Sequence, residues 1–154
     1  MTIKNISVKQ IEYIAYSLAQ DTMKWDEPIP EFETRFANVL ESCIAVPFQK
    51  FSKKYLYKGL SGKAAILFYL LIKNHPFQNG NKRLAVTSLL VFLFLNERWL
   101  FADSSELYNT AVWVAQSPSE AKDEVVPYIE KFITKRLVDK IEMDKLFKPK
   151  YDGK

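Results

Sequence analysis

The residues best suited to chemistry lie in one nine-residue stretch, residues 75–83, with the sequence HPFQNGNKR. His75 is the only histidine of the chain, and a neutral imidazole can take a proton from a hydroxyl group. Gly80 lets the backbone approach a ligand closely. The residues that follow supply hydrogen-bond donors and positive charge: Asn81, Lys82 and Arg83. The stretch therefore predicts a base beside a site for an anion such as a phosphate.

Two apolar runs flank this stretch, over residues 64–72 and 84–95. The first is apolar on almost every side, which is typical of a buried helix. That helix must end near Asn74, because proline disfavours the helical conformation in the residue before it. The second run begins a helix, so the donors lie at its N-terminus, where free N–H groups and the helix dipole favour an anion. We expect Phe77 to anchor the loop in the core and His75 to face a cleft.

The stretch resembles the signature of the Fic/Doc family, which places a histidine, a phenylalanine, a small residue, an asparagine and an arginine at fixed spacing between two buried helices. Eight of the nine positions fit. The departure is Asn79, where the family usually has a carboxylate. Lys82 is similar to the death-on-curing (Doc) branch, because the adenylylating members usually have a glycine there and a second arginine at the position of Val86. The resemblance is sharpest over residues 36–100.

The resemblance implies transfer of a phosphorus-containing group from ATP to a hydroxyl on another protein. His75 would be the general base that deprotonates a serine, threonine or tyrosine of a target, such as a protein of the translation machinery. The resemblance implies a Doc-like toxin of a toxin–antitoxin module, in which Lys82 favours transfer of a compact terminal phosphate over adenylylation. The anion hole for the nucleotide would be formed by Gly80, Asn81, Lys82 and Arg83.

In the family, the acidic residue of the signature binds Mg²⁺, which bridges the nucleotide phosphates. The side-chain oxygen of Asn79 can still ligate a hard cation, but it lacks the charge of a carboxylate. The closest acidic residues in the sequence are Glu97 and Asp103. We therefore expect weak Mg²⁺ binding at Asn79. A second hypothesis is a degenerate Fic-fold module that binds nucleotide or a partner protein without turnover. A third is a basic nucleic-acid binder, which would show a steep salt dependence.

Residues 45–51 do not keep a helical period and could form a short hairpin or an extended flap. In the family, a flap at this place docks the backbone of the target protein beside the histidine. Docking of this kind adds a strand through main-chain hydrogen bonds. The alternative is a covering loop, and the sequence favours neither. The candidate docking residues are Val46, Pro47, Phe48 and Gln49.

Lysines alternate with aromatic residues directly after this flap. Such a mixture can bind single-stranded nucleic acid, but a solvated amphipathic loop is the favoured interpretation. A docking surface for an acidic target or an acidic inhibitor ranks third. The residues concerned are Lys50, Phe51, Lys53, Lys54, Tyr55, Tyr57 and Lys58.

Length and composition favour a single all-α domain. The 154 residues suit about one domain. Four glycines and seven prolines are too few for a loop-rich β fold. We predict a compact Fic-fold bundle of about six to seven helices, with the short hairpin or flap, over residues 1–138. A charged C-terminal extension follows over residues 139–154.

Capping signals predict where several helices begin. The clearest is the capping box that starts at Ser7, and Asp103 begins another. Ser61 can cap the helix before the signature stretch, and Ser117 begins a third signal with a proline at the first helical position. In the loop after the first helix, we expect Trp25 to cover the edge of the core.

The sequence favours a cytoplasmic protein. Cys43 is the only cysteine, so no disulfide framework is expected within the chain. We find no signal-peptide core, and the longest apolar run has 12 residues, where a membrane span needs about 20. The net charge of +4 suits a phosphate-bearing or acidic partner without specifying one, and a nucleic-acid site is less favoured.

Members of the family are often held inactive by a helix with the sequence Ser/Thr-x-x-x-Glu-Gly/Asn. This chain contains neither a Glu-Gly nor a Glu-Asn pair. We therefore expect a separate antitoxin protein as the partner that restrains the activity.

Overall fold

The structure is a computed structural model that describes residues 2–21 and 28–147. Trp25 and the last seven residues of the predicted extension lie outside the described residues.

In chain order, the elements are α1 (Val8–Gln10), the π-helical Ile11–Ala15, α2 (Tyr16–Asp21), a 3-10 turn (Phe32–Thr34), α3 (Ala37–Ala45), a 3-10 turn (Val46–Phe48), β1 (Lys50–Phe51), β2 (Lys54–Tyr55), α4 (Gly59–Lys73), α5 (Asn81–Leu95), β3 (Trp99–Leu100), α6 (Ser104–Gln116), a 3-10 turn (Ser119–Ala121), α7 (Lys122–Arg136), β4 (Leu137–Val138) and α8 (Lys140–Phe147).

The centre of the molecule is the pair of helices α4 and α5, which the two apolar runs form. Eleven consecutive residues of α4 are buried, and so are twelve of the first thirteen residues of α5. A helix that is apolar all round must be enclosed by other elements. Helices α4 and α5 pack against each other, α7 packs against α4, and α6 and the N-terminal helix pack against α5. This arrangement places the loop between α4 and α5 at one end of the core.

The predicted all-α architecture with one short hairpin near residue 50 is confirmed. The α1, π-helical and α2 segments follow one another without a break and form one helix. Counted in this way, the described part of the chain contains seven α-helices, which agrees with the predicted six to seven.

Two of the predicted helix starts are confirmed. The Ser7 hydroxyl accepts from the N–H of Gln10, and the Gln10 side chain accepts in return from the N–H of Ser7. The Asp103 carboxylate accepts from the N–H of Glu106 at the start of α6. Both caps depend only on residues within one turn, which explains why the sequence predicts them.

Two other predicted starts are wrong. Ser61 lies inside α4, which already begins at Gly59, whose positive φ of 69° turns the chain into the helix. The residue after Ser117, Pro118, is extended and precedes a 3-10 turn, so α7 begins only at Lys122. Pro127 lies within α7.

A second pair of strands was not predicted. Strand β3 pairs antiparallel with β4, with Trp99 opposite Val138 and Leu100 opposite Leu137. Each strand has two residues, so neither carries an alternating pattern long enough to be recognised. The pairing joins the end of α5 to the end of α7, and its partners are 37 and 39 residues apart in the sequence.

The segment after residue 138 was predicted as a charged extension, read as a frayed helix or tail. Its described part is the helix α8, whose N-terminal Asp139 side chain accepts from the N–H of Glu142. The Phe147 ring packs edge-on against Trp99 at 5.2 Å between centroids, and Met143 is buried. This part of the segment is therefore folded against the domain.

Among the residues that the structure describes, no helix combines the length and apolar character that a membrane span requires.

The N-terminal segment is fixed to the end of α5 by one buried side chain. The Asn96 amide donates to the carbonyl groups of Lys4 and Phe92, and its oxygen accepts from the N–H of Lys4 at 2.7 Å. Asn96 is 3% exposed. One asparagine therefore satisfies both backbone groups of a residue that is 92 positions away.

We expect Asn96→Ala to lower the free energy of unfolding by about 2–3 kcal/mol, because it leaves Lys4 backbone groups without their partner. Denaturant unfolding followed by circular dichroism measures the loss. Asn109→Ala on the exposed surface of α6 is the matched control and should change stability by less than about 0.5 kcal/mol. Equal stability of the two variants would contradict the anchoring role of Asn96.

Candidate active site

His75 lies at the bend where α4 has ended. The N–H of Asn74 still donates to the Leu70 carbonyl, and the chain then turns at His75, whose φ is 49°. A positive φ is uncommon for a residue other than glycine. The His75 side chain is exposed, whereas Pro76 and Phe77 directly after it are buried. The imidazole is thus presented at the surface by a backbone that is anchored on both sides.

The loop after His75 is closed by one asparagine. The Asn81 side-chain oxygen accepts from the N–H of Phe77 at 3.0 Å, and its amide donates to the Phe77 carbonyl at 2.9 Å. Both residues are buried: Asn81 is 9% exposed and Phe77 is 2% exposed. The Asn81 amide therefore pairs with the backbone of Phe77 as a neighbouring strand would. Its side-chain groups are used within the loop.

Gly80 is required at the start of α5 by both conformation and space. It is the N-cap residue, with φ 71° and ψ 18°. A Cβ atom here would lie 2.9 Å from Cδ1 of Ile29 and 3.6 Å from the Pro28 carbonyl oxygen. Because glycine has no side chain, the N-cap residue itself supplies no side-chain acceptor to the first turn of α5. The N–H groups of this turn provide the positive end of the helix dipole.

Residues 28–36, which we call the collar, contact this loop at three points. Ile29 covers Gly80, as the distances above show. The Phe32 ring packs against the Phe77 ring with 6.0 Å between centroids. The N–H of Phe36 donates to the Pro76 carbonyl at 2.8 Å. The loop is thus braced by a segment about 45 residues earlier in the chain.

The collar itself is fixed to the N-terminal helix. The Tyr16 hydroxyl donates to the Pro30 carbonyl at 2.6 Å, and its ring packs edge-on against Phe32 at 5.8 Å. Burial, together with the nearby carboxylates of Glu33 and Glu31, raises the pKa of Tyr16. A tyrosine with a raised pKa stays protonated at neutral pH, so it remains a hydrogen-bond donor to the collar.

Arg83 points into the protein. It is 4% exposed, and its Nη2 donates to the Ala19 carbonyl at the end of the N-terminal helix. Lys82, one residue earlier, is half-buried at the first turn of α5. Of the two cations, Lys82 is therefore the one with a partly exposed side chain beside the loop.

The position expected to bind metal has no carboxylate neighbours in the sequence. Asn79 is half-buried in the loop. Among the described residues, no group of three or more histidine, cysteine, aspartate or glutamate side chains could hold a metal ion. These donors do not fit a Mg²⁺ site formed by protein carboxylates.

The charges of the chain are unevenly distributed. Residues 42–96 contain eight of the 22 lysines and arginines and none of the 18 acidic residues. This segment, which includes the hairpin, α4, the loop and α5, therefore carries a formal charge of +8, and the rest of the chain carries −4. A region with one sign of charge attracts anions through its long-range field.

The single cysteine supports the loop and is unsuited to nucleophilic chemistry. Cys43 of α3 is fully buried, and burial raises the pKa of its thiol to about 11. A hydrogen bond with the Asn74 side chain opposes this shift. At neutral pH the thiol is protonated, and it contacts the residue that precedes His75.

The predicted flap begins later than expected. Residues 46–48 form a 3-10 turn against α4, in which Pro47 is buried and Val46 and Phe48 are half-buried. Proline at the second position keeps this turn from becoming a strand. Gln49 is exposed, and its carbonyl accepts from the N–H of Leu56 next to the first pair of the hairpin.

The hairpin consists of β1 and β2 and a two-residue turn. Lys50 pairs with Tyr55, and Phe51 pairs with Lys54. The turn residues Ser52 and Lys53 have φ values of 50° and 67°. Two positive φ values are typical of the tight turn whose twist matches a hairpin.

A buried lysine fixes the hairpin to α4. Lys63 is 2% exposed, and its ammonium donates to the Tyr57 carbonyl. The ammonium also lies 3.9 Å from the centre of the Tyr55 ring and 5.5 Å from that of Phe48, which permits cation–π attraction. Burial lowers the pKa of Lys63. These contacts connect the second strand, the turn before the first and the segment that leads into α4.

The structure brings the predicted loop residues together at the α4–α5 junction and shows three supporting residues that the sequence analysis did not select. Ile29 lies in a stretch without periodicity, and nothing local marks its contact with Gly80. Phe36 contributes a backbone N–H, which no residue type would indicate. Lys63 could have been found, because a lone lysine at the start of an apolar helix that is buried all round needs a partner.

A helical bundle with this loop between its two central helices has the fold of a Fic-type protein. The sequence profile described as "Fic/DOC family" matches residues 5–93. The match covers more than half of the chain and includes the collar, the hairpin and the whole signature. The chain therefore belongs to the Fic/DOC family. Comparisons with curated proteins and with solved structures gave no match.

We expect Asn81→Ala to destabilise the fold by about 2–4 kcal/mol, because both backbone groups of Phe77 lose their buried partners. Denaturant unfolding measures this loss. Gln78→Ala, a change at an exposed residue of the same loop, is the control and should be nearly neutral. If the two variants unfold at the same denaturant concentration, Asn81 does not hold the loop.

Proposed function

We propose that this protein transfers a phosphorus-containing group from ATP to a hydroxyl side chain of a target protein. The observation that carries the proposal is the placement of His75. It is exposed at a bend with a positive φ, five residues before Gly80, the N-cap residue of α5, which has no side chain with which to cap the first turn. This placement supports a role for His75 as a base close to an anion site at the start of α5. Transfer chemistry of this type consists mostly of positioning and charge stabilisation.

In the proposed reaction, His75 accepts the proton of the incoming serine, threonine or tyrosine hydroxyl. The hydroxyl oxygen then forms a bond to phosphorus, and the bond from phosphorus to the leaving group breaks. If the γ-phosphorus is attacked, ADP leaves and the target carries a phosphate. If the α-phosphorus is attacked, pyrophosphate leaves and the target carries AMP.

The nucleotide phosphates are bound by the start of α5. Gly80 starts the helix whose first-turn N–H groups favour an anion, although Ile29 covers Gly80 itself, and Lys82 supplies the charge of a side chain that is partly exposed. Asn81 and Arg83 belong to the predicted anion hole, but their side chains already bond to Phe77 and Ala19. In this proposal, Asn81 contributes its backbone N–H group. Arg83 contributes its positive charge while its side chain stays bonded to Ala19.

We favour phosphorylation over adenylylation. A lysine at position 82 narrows the anion site and favours a compact terminal phosphate, as in the Doc branch. Gly80 and Pro76 are more similar to the adenylylating branch, so the loop combines features of both. A Doc-like enzyme of this kind would act as the toxin of a toxin–antitoxin module in the cytoplasm, with a separate antitoxin as its partner.

We assign Mg²⁺ no step in the proposed reaction. The described residues offer no carboxylate cluster, and Asn79 supplies a neutral oxygen alone. The same observation favours a second candidate function, a Fic-type module that binds nucleotide or a partner without turnover.

We expect His75→Ala to reduce transfer about 10²–10⁴-fold, because the variant lacks the general base. The purified protein is incubated with bacterial lysate and with ATP labelled on either the α- or the γ-phosphate. Label that enters a protein band from γ alone supports phosphorylation, and label from α supports adenylylation. Growth arrest on expression in a bacterial host provides a second readout of the same variant.

Gln78→Ala, three residues further along the exposed side of the loop, is the matched control and should retain transfer. Equal labelling by the His75 variant and the parent would remove His75 as the base. If neither label enters a protein and ATP still binds, the module without turnover becomes the better account.

We expect Asn79→Asp to increase the effect of Mg²⁺ on ATP affinity by about tenfold, because metal affinity rises with the number of charged ligands. Isothermal titration with ATP, with and without Mg²⁺, measures this effect. The matched control is Asn109→Asp on the exposed surface of α6, which makes the same chemical change elsewhere. An unchanged response to Mg²⁺ would mean that position 79 does not contact the metal.

A further inference from the structure

The hairpin is an open two-stranded ribbon, and the following inference rests on the proposed function. Within the described residues, β1 and β2 pair only with each other, so each keeps one unpaired edge of N–H and C=O groups. Unpaired strand edges can accept a further strand. All residues from 50 to 56 are exposed.

The two faces of the ribbon differ. Lys50 and Tyr55 are opposite each other, and the Lys50 ammonium lies 4.7 Å from the centre of the Tyr55 ring, which also contacts Lys63. This face is therefore directed to α4. The alternate pair, Phe51 and Lys54, lies on the other face, because successive side chains of a strand point to opposite sides. Phe51 is 72% exposed.

The charge of the ribbon has one sign. Four lysines lie between residues 50 and 58, and the whole segment 42–96 lacks a carboxylate. Lys63 adds a buried cation below the ribbon, and among the described residues it forms no ion pair. The Glu130 carboxylate of α7 lies beside Gly62, where the backbone of Tyr57 also lies, so one acidic side chain is close to the end of the ribbon. A partner that reaches this edge therefore meets positive charge on both faces.

We propose that the hairpin selects targets in which an acidic, extended segment carries the hydroxyl to be modified. Strand addition at this flap is how the family docks its targets; in this chain, the carboxylates of the added segment pair with Lys53, Lys54 and Lys58, and an apolar side chain packs on Phe51. A polypeptide fits better than a nucleic acid, because the edge offers a row of backbone donors and acceptors at the spacing of a strand. Charge complementarity of this kind governs the choice of partner and the rate of association.

The test uses three probes of similar length: a capped nonapeptide in which glutamate alternates with valine around a central serine, the same peptide with lysine in place of glutamate, and a nine-nucleotide oligothymidine. Each is titrated into the ¹⁵N-labelled protein, and the amide shifts of residues 49–56 are followed. We expect saturable shifts with the acidic peptide only. Lys53→Glu combined with Lys54→Glu should weaken this binding about tenfold, because each change replaces attraction by repulsion.

Lys131→Glu combined with Lys135→Glu makes the same change of charge on the exposed surface of α7 and should alter the affinity less than about twofold. Phe51→Ala should weaken binding without changing its salt dependence. Equal binding of the basic peptide, absence of hairpin shifts with the acidic peptide at millimolar concentration, or an equal effect of the α7 variant would each overturn the proposal. If the oligonucleotide binds at the hairpin more tightly than the acidic peptide, the partner of the hairpin is a nucleic acid and the proposal is overturned.

A parallel titration of the parent protein with ATP separates this inference from the proposed function. ATP binding without hairpin shifts would overturn the acidic-target proposal and leave group transfer in place. Hairpin shifts without ATP binding would overturn group transfer and retain the hairpin as a docking surface for acidic segments.

Discussion

The two hydrogen bonds between the Asn81 amide and the Phe77 backbone are the constraint on which the candidate site depends. They close a five-residue loop, so the entropy lost on closure is small, and they lie in the core, where a lost partner is costly. The closure fixes the start of α5 relative to the end of α4. His75 precedes the closed loop and Gly80 lies within it, and both have positive φ values. The base and the N-terminus of α5 are therefore held together by a buried pair of groups that need not touch a substrate.

This arrangement changes the roles of two residues of the signature. In sequence terms, Asn81 and Arg83 are donors for a phosphate. In the structure, the first bonds within the loop and the second donates to Ala19 of the N-terminal helix. In this structure, the side chains of Asn81 and Arg83 therefore stabilise the fold around the loop. Of the side chains of Asn81, Lys82 and Arg83, only that of Lys82 is partly exposed, so it is the one best placed to meet an anion.

The collar and the buried Lys63 have similar structural roles. Each connects a segment outside the helices to one of the two central helices. The collar uses aromatic packing and backbone hydrogen bonds around Phe77. Lys63 uses a cation in an aromatic environment, where burial opposes its charge and the ring faces favour it. Lys63 lies in the segment without carboxylates, which the hairpin and the signature loop share, whereas the collar contributes Glu31 and Glu33.

The sequence by itself determined the helical class, the two buried central helices, the family signature and the bend at His75. These features depend on periodicity, on proline and on caps such as Ser7, which act between residues within one or two turns. Tertiary structure alone decided the contact of Ile29 with Gly80, the pairing of β3 with β4 and the position of the hairpin, whose turn at Ser52 lacks glycine or asparagine. Contacts of this kind join residues far apart in the chain, and their free energy comes from burial and geometry that no local pattern records.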